Sequence, residues 1–433
     1  MTALDFISDI TWDALPDATR KQAELCTLDL IGIAAGAHHF RLSRIVRDHA
    51  TAMYGGTARM LFDSRTASPV GVALAAGMSI DALDGHDGYN PAKGHVGCPL
   101  FPAVLTLADR EGASGRDFLT AMVLGYEFGS RAALAQHGTV PDYHTSGSWG
   151  AVTAAAAGAL LMGLDRETTR HALGIAEYHG PRSQMMRCID HPTMLKDGSG
   201  WGAMTGVAAL DMAARGFTGA PAITVEEAPE YWADIGQRWL ILEQYFKPYP
   251  VCRWAQAPAE GVLALRRAHD LSSDQVERIE VTTFHEAVRL ATSEPKSTEE
   301  AQYSTSFPCA VAMVRGGVTP ADIADDALHD TEVLRLSRSL VMTESDYANG
   351  TFPNDRHAKV ALVLKDGQVL ETDYLQPRWD HRWPPTEDEL RTKYRDLTIP
   401  VLGEQRSRAI EEALANLPDT GLEPLTNLLF QGV

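Results

Sequence analysis

Thr145-Ser-Gly-Ser-Trp-Gly-Ala-Val-Thr-Ala-Ala-Ala-Ala-Gly-Ala-Leu-Leu-Met-Gly-Leu164 runs for twenty residues without a charge. That length would span a bilayer. Six of the residues are Ala and four are Gly, however, with only three Leu, so the stretch predicts a tightly packed buried helix instead of a lipid-facing one. Similar Ala- and Gly-rich apolar stretches occupy residues 20–36 and 70–84, and residues 117–136 place Phe118, Met122 and Tyr126 on one stripe. Small side chains in such helices let neighbouring backbones approach closely. Asp165 stands where an N-cap would open the helical run 168–178, and Gly180-Pro181 would close it. From residue 13 to about 240 the pattern is that of successive helices, not of alternating βαβ units.

After Pro250 the periodicity changes. Arg278-Ile-Glu-Val-Thr-Thr-Phe284 alternates apolar and polar residues with β-branched side chains, the mark of a strand. Lys359-Val-Ala-Leu-Val-Leu-Lys-Asp-Gly-Gln-Val-Leu-Glu371 sets Asp366-Gly367 between two alternating runs, predicting a type I′ hairpin and a small antiparallel sheet. Helical pattern returns over 386–415, where Thr386 and Glu389 have capping-box spacing. The fold class that follows is mainly α with a smaller α+β domain: a large all-helical domain from residues 1–243 and 386–433, and an α+β lid domain from 244–385.

The whole chain agrees with an ordinary globular protein. Its 433 residues, 45% hydrophobic and 22% charged, suffice for two domains with buried cores. A formal charge of -19 repels nucleic acid and anionic lipid, while leaving room for a few cations gathered in one cleft around a small anion. The five cysteines are scattered, odd in number and without a CxxC pair, which fits neither a disulfide framework nor a structural zinc site. The first ten residues carry acids where a signal peptide carries a basic segment. A cytoplasmic protein without a membrane or nucleic-acid partner is expected.

Chemistry concentrates in Asp84-Gly-His-Asp-Gly-Tyr-Asn-Pro-Ala-Lys-Gly-His95, a polar segment between two apolar helical stretches. Composition alone fits a solvated turn equally well. As a site, it would bring Asp84, His86, Asp87, Lys93 and His95 into one cleft, with Asp84 or Asp87 fixing the tautomer of His95 as a general base. His86, Asp87 and His95 could also ligate zinc, but their spacing matches no standard zinc signature. His144, in Asp142-Tyr-His-Thr-Ser-Gly-Ser148, would sit near the exposed N–H groups opening the 145–164 helix, a place that favours an anion. Lys196, in the loop 191–200, could clamp a carboxylate. Phe246-Lys-Pro-Tyr-Pro-Val-Cys-Arg-Trp254 lies where the pattern changes; there Lys247 and Arg253 are cations suited to carboxylates, and Cys252 is a thiol beside them.

In their order along the chain, these pieces resemble the MmgE/PrpD family. The resemblance is carried by Ala82-Leu-Asp84 with Gly94-His95-Val-Gly97, Lys196 before the Gly-rich residues 198–206, Arg215-Gly-Phe-Thr-Gly219, Lys247-Pro-Tyr-Pro250 and Gln302-Tyr-Ser304. It implies a homodimer whose active site lies between the two domains and uses no metal or cofactor. It further implies roles for Asp84, His95, His144, Lys196 and Lys247; the first four are expected to be catalytic, and Lys247, together with His86, Asp87, Lys93, Cys252 and Arg253 from the reading of the residues themselves, to hold a small di- or tricarboxylate. The family contains dehydratases, decarboxylases and epimerases of such acids. Where its decarboxylase branch carries threonine, histidine and tyrosine, this chain offers Gly88 or Tyr89, Cys252 and Phe307. The expectation is therefore a 2-methylcitrate dehydratase-like carbon–oxygen lyase, with epimerisation of an iminodisuccinate-like dicarboxylate next, decarboxylation less favoured, and an inactive carboxylate-binding member as the alternative of another class.

Overall fold

The computed structural model describes residues 1–433. Its centre is the helix Ser146–Leu161, in which every side chain from Ser146 to Ala159 is buried. Around it pack Ser199–Ala214, Gly115–Thr139, Gly97–Glu111 and Arg166–His179, while Pro69–Asp81 packs on Ser199–Ala214 from the other side. Nothing in this arrangement needs lipid, and no helix is long and apolar enough to cross a membrane.

Glycine makes the central contacts possible. A Cβ on Gly77 would lie 2.6 Å from the Cα of Gly200, and one on Gly202 would lie 2.9 Å from the Cα of Gly147. Any larger residue would force the backbones apart, at a cost of about 1–3 kcal/mol or more. Because Gly200 opens the helix that follows Lys196, this close approach also fixes where the Lys196 loop stands.

Several local expectations hold. Asp165 caps Arg166–His179 by accepting from the Thr168 N–H at 2.7 Å, and Thr386 and Glu389 form the capping box of Glu387–Leu402. That terminal helix packs on Asp17–Gly36, with Lys393 Nζ 2.5 Å from Asp29 Oδ1. Others change in detail. Gly180 ends its helix in an extended conformation, φ -60, so the stop is set by the following proline and not by a left-handed glycine. The run 386–415 is two helices, Glu387–Leu402 and Glu404–Ala415, broken at Gly403 with φ 78. A short antiparallel pair, β1 Ala58–Met60 and β2 Asp63–Ala67, interrupts the helical half.

The smaller sheet has strands β3 Val276–Thr283, β4 Val341–Glu344, β5 Lys359–Leu364 and β6 Val369–Glu371, in the order β4-β3-β5-β6. Ile279, Val281 and Thr283 are buried as the alternation requires, and Val276 joins them across a register shift between Val276 and Arg278. The sheet is mixed instead of antiparallel throughout, since β4 runs parallel to β3. The β5–β6 hairpin forms, but only Gly367 of the Asp-Gly pair has positive φ. Gly367 N–H donates to Leu364 O and Leu364 N–H to Gln368 O, a three-residue turn closed by a left-handed glycine instead of a two-residue type I′ turn.

Candidate active site

The segment 84–95 is buried, not a solvated turn. Lys247 forms an ion pair with Asp84 and donates to its backbone carbonyl at 3.1 Å. Burial pushes the Asp84 carboxyl up, but the Lys247 ammonium and the weaker pull of neighbouring cations more than reverse this, holding it well below the usual carboxylate range. His95 Nδ1 lies 2.6 Å from the backbone carbonyl of Asp87, which makes Nδ1 the protonated nitrogen and leaves the Nε2 lone pair free. Nε2 stands 4.0 Å from Asp84 Oδ1. Burial and the nearby Lys247 charge depress the imidazole well below its ordinary value, so it is neutral and a weaker base than a solvated histidine.

Asp84, Lys93, His95, Cys252 and Arg253 therefore line one cavity, as the sequence suggests. Lys196 adjoins it. Its ammonium donates to Gln302 Oε1 at 2.8 Å and sits 4.7 Å over the ring of Tyr303, which lines the cavity. Two other expected residues lie behind the wall. The His86 ring packs edge-on against His95, centroids 4.4 Å apart, with Nε2 3.8 Å from Asp81. The Asp87 carboxylate turns away to accept from Tyr126 at 2.8 Å, so it is the main chain of Asp87, and not its side chain, that orients His95.

His144 is placed differently from expectation. Its Nδ1 is bonded to Asp142 O at 2.8 Å, and the Gly147 N–H at the helix opening is taken by the backbone carbonyl of Asp197 at 3.0 Å. The neighbouring Tyr143 lines the cavity instead, its hydroxyl donating to the Lys93 carbonyl. The remaining lining groups that sequence reasoning missed are Met185, Asp197, Tyr245, Trp254, Tyr303 and Arg356. Tyr303 lies inside the quoted Gln302-Tyr-Ser304, and Asp197 follows Lys196 directly, so adjacency was a usable signal for both. Arg356 sits in a loop with no motif.

Gln302 holds the pieces together. Besides Lys196, its Oε1 accepts from the Asp84 N–H at 2.8 Å. Its Nε2 donates to Ala82 O at 3.0 Å and Thr298 Oγ1 at 2.9 Å, and its carbonyl accepts from Cys252 N–H. Gly88 sets the fit on another side: a Cβ there would lie 2.5 Å from Tyr245 Cζ, closer still to its hydroxyl, and 2.8 Å from His95 Nδ1. The cavity left between these walls measures about 20 Å³, room for one water. A wider cleft of about 500 Å³ is lined in part by Gly85, but its half-buried Lys393 is already paired with Asp29.

The zinc set weighed from sequence does not assemble, because Asp87 points elsewhere. The nearest substitute is Asp81, His86 and Cys98, one donor atom from each lying within 4.8 Å of the others. There burial raises the Cys98 thiol well above its ordinary value, which disfavours the thiolate a metal prefers.

The cavity is thus walled by a neutral imidazole, cationic side chains and several phenols. The chain belongs to the MmgE/PrpD family: the MmgE/PrpD N-terminal domain matches residues 3–233 and the MmgE/PrpD C-terminal domain residues 249–419. It is similar to a cis-aconitate decarboxylase of Aspergillus terreus (strain NIH 2624 / FGSC A1156), 26% identical over 98% of this chain and 94% of that protein. A second Aspergillus terreus cis-aconitate decarboxylase is 25% identical with the same coverage. The cis-aconitate decarboxylase-like protein oryM of Aspergillus oryzae is 24% identical over 82% of this chain and 80% of its own.

Proposed function

We propose that the protein is a lyase, and specifically a dehydratase of the 2-methylcitrate dehydratase kind, whose reaction begins by removing a proton from the carbon next to a carboxylate of a small di- or tricarboxylic acid. The observation that carries this is the state of His95: a neutral imidazole with Nδ1 donating to the Asp87 carbonyl and Nε2 free. Lys196 is the group that receives the carboxylate, because it is buried with no ion pair of its own, its ammonium bonded to the neutral oxygen of Gln302 and acting on Asp81 and Asp84 only from farther away, whereas Lys247 is directly paired with Asp84. As the proton passes to His95, negative charge spreads into the carboxylate and is stabilised by that ammonium. The C–H electron pair then forms the double bond, and the hydroxyl on the next carbon leaves as water after receiving a proton from an acid. His144 is not on the cavity, so a phenol takes the part sequence reasoning gave it. Lysine supplies the positive charge the step requires, and no metal or cofactor enters this route. Five free, buried thiols fit a reducing, cytoplasmic setting, and the family resemblance implies a homodimer closed over a lid of residues 244–385.

Epimerisation is the second reading, favoured by the three phenols of Tyr143, Tyr245 and Tyr303 on the same cavity: returning a proton to the same carbon from another side needs an acid other than His95. Decarboxylation, the reaction for which the relatives are named, is disfavoured by Cys252, a thiol burial raises to about 12, and by Phe307, which is sealed in the core. Proton NMR in D2O with citrate, 2-methylcitrate, malate and cis-aconitate separates the readings. New alkene signals from a hydroxy acid support the dehydratase, and loss of a C–H signal without alkene supports the epimerase. Formation of CO2 from cis-aconitate would give the relatives' reaction, and no change with any acid would point to an inactive binding member.

A further inference from the structure

Two buried cations at the cavity have carboxylate partners. Lys247 is paired with Asp84, and Arg253 with Asp380 at 3.3 Å. Arg356 has no such partner. It is 3% exposed and lines the cavity, yet its bonds go only to backbone carbonyls, Nη1 to Pro353 and Asp355 and Nη2 to Asn90 at 3.2 Å. Its Nε is buried with no partner at all.

Lys93 stands beside it, half-buried. It lines the same cavity with its ammonium 4.3 Å over the ring of Tyr143 and forms no ion pair. Burial and then the Arg356 charge hold it below its ordinary value, which places two like charges against one space. Glu286 eases both from a distance but pairs with neither. The backbone of Lys93 is left-handed, φ 55, as is that of Lys196, φ 49. A side chain other than glycine's is held there at a cost of about 1 kcal/mol or more, and such outliers collect at functional positions.

Like charges left together, desolvated and without a counterion are destabilising unless an anion joins them. We propose that Arg356 and Lys93 form a second carboxylate-binding position, separate from Lys196, so that the substrate is gripped by two carboxylates at once. This rests on the reading of the cavity as a carboxylate site. The unpartnered Nε gives Arg356 a directional donor for one carboxylate oxygen, and Lys93 adds a point charge beside it.

Binding of propionate and of succinate to the full-length protein, followed by saturation-transfer NMR or calorimetry, tests it. The wild type is expected to bind succinate more tightly than propionate. Arg356→Gln should weaken succinate by about tenfold to a hundredfold while leaving propionate, held at Lys196, within a factor of about two. Arg356→Lys should fall between, since it restores charge without the fork. Lys93→Gln should lose succinate affinity in the same selective way by a smaller factor, and it decides the matter where Arg356→Gln does not give a folded protein by its thermal melt. Unchanged succinate affinity in both neutral variants would overturn the second position while leaving Lys196 intact as a carboxylate site. A wild type that binds neither acid would overturn the carboxylate reading and this inference together.

Discussion

The imidazole of His95 is held by the main chain of Asp87, Nδ1 to carbonyl oxygen at 2.6 Å, and not by any carboxylate. A backbone partner carries no charge of its own. It fixes the tautomer without turning the histidine into a stronger ion-pair partner, so the imidazole stays neutral beside the Lys247 charge.

His95→Asn can keep the N–H that points to Asp87 while removing the nitrogen that faces the cavity. Proton exchange into substrate should fall by about 10²- to 10⁴-fold, measured by NMR in D2O. The thermal midpoint should change little. Full exchange in this variant would remove His95 from its role.

Lys247 and Asp84 are a buried pair, and breaking one side strands the other. Lys247→Met should cost about 3–5 kcal/mol in denaturant unfolding. Adding Asp84→Asn to it should recover part of that loss, because no uncompensated charge then remains. Activity should stay low in both.

Gln302→Glu places a carboxylate against Lys196 in nearly the same shape. The lysine becomes neutralised, so the KM for a carboxylate substrate should rise by about tenfold or more, with a lowered thermal midpoint because the new oxygen cannot donate to Ala82 O as the amide does. Gln302→Leu removes all four side-chain bonds and should lower stability by about 1–3 kcal/mol without neutralising the lysine. The contrast separates the residue's electrostatic part from its structural one.

Gly88→Ala should inactivate the enzyme by driving Tyr245 into His95, given a Cβ position 2.8 Å from His95 Nδ1. Tyr245→Ala in the same chain makes room for the methyl group and should restore part of the lost stability, read by thermal melts. If the two changes are simply additive, the fit between Gly88 and Tyr245 does not matter.

Asp87 gives a pH prediction of definite sign. Burial, reinforced by the charge of Asp29, raises its carboxyl from 3.8 to about 7. The unfolded chain loses this proton near pH 4 and the folded chain keeps it until about pH 7. The residue therefore subtracts stability increasingly as pH rises through that window, then by a constant amount above it. Asparagine cannot ionise. The stability of Asp87→Asn relative to wild type should increase from pH 5 to pH 8, by an amount on the order of a few kcal/mol, with the tyrosine hydrogen bond retained at both ends.

The helices were legible because small apolar residues and caps report local physics: Asp165 and Thr386 each satisfy helix N–H groups in their own neighbourhood. The Asp84–His95 segment was legible because its polar residues are close in sequence. Arg356 was not. Its place on the cavity depends on Asn90, 266 residues away, and no spacing announces such a meeting. His144 misled for the opposite reason, since a helix opening looks available to an anion until a distant carbonyl, that of Asp197, fills it. The strand partner β4 escaped because parallel pairing leaves no hairpin turn to read.

A cavity with space for a single water cannot admit a di- or tricarboxylate as it stands. One face belongs to residues 84–197 and the other to residues 245–356, so admission and release require those faces to separate and meet again in every cycle. In the proposed reaction that breathing stands in series with bond-making, and where it is the slower step it limits turnover. Solvent viscosity would then slow this enzyme even where the chemistry at His95 is untouched.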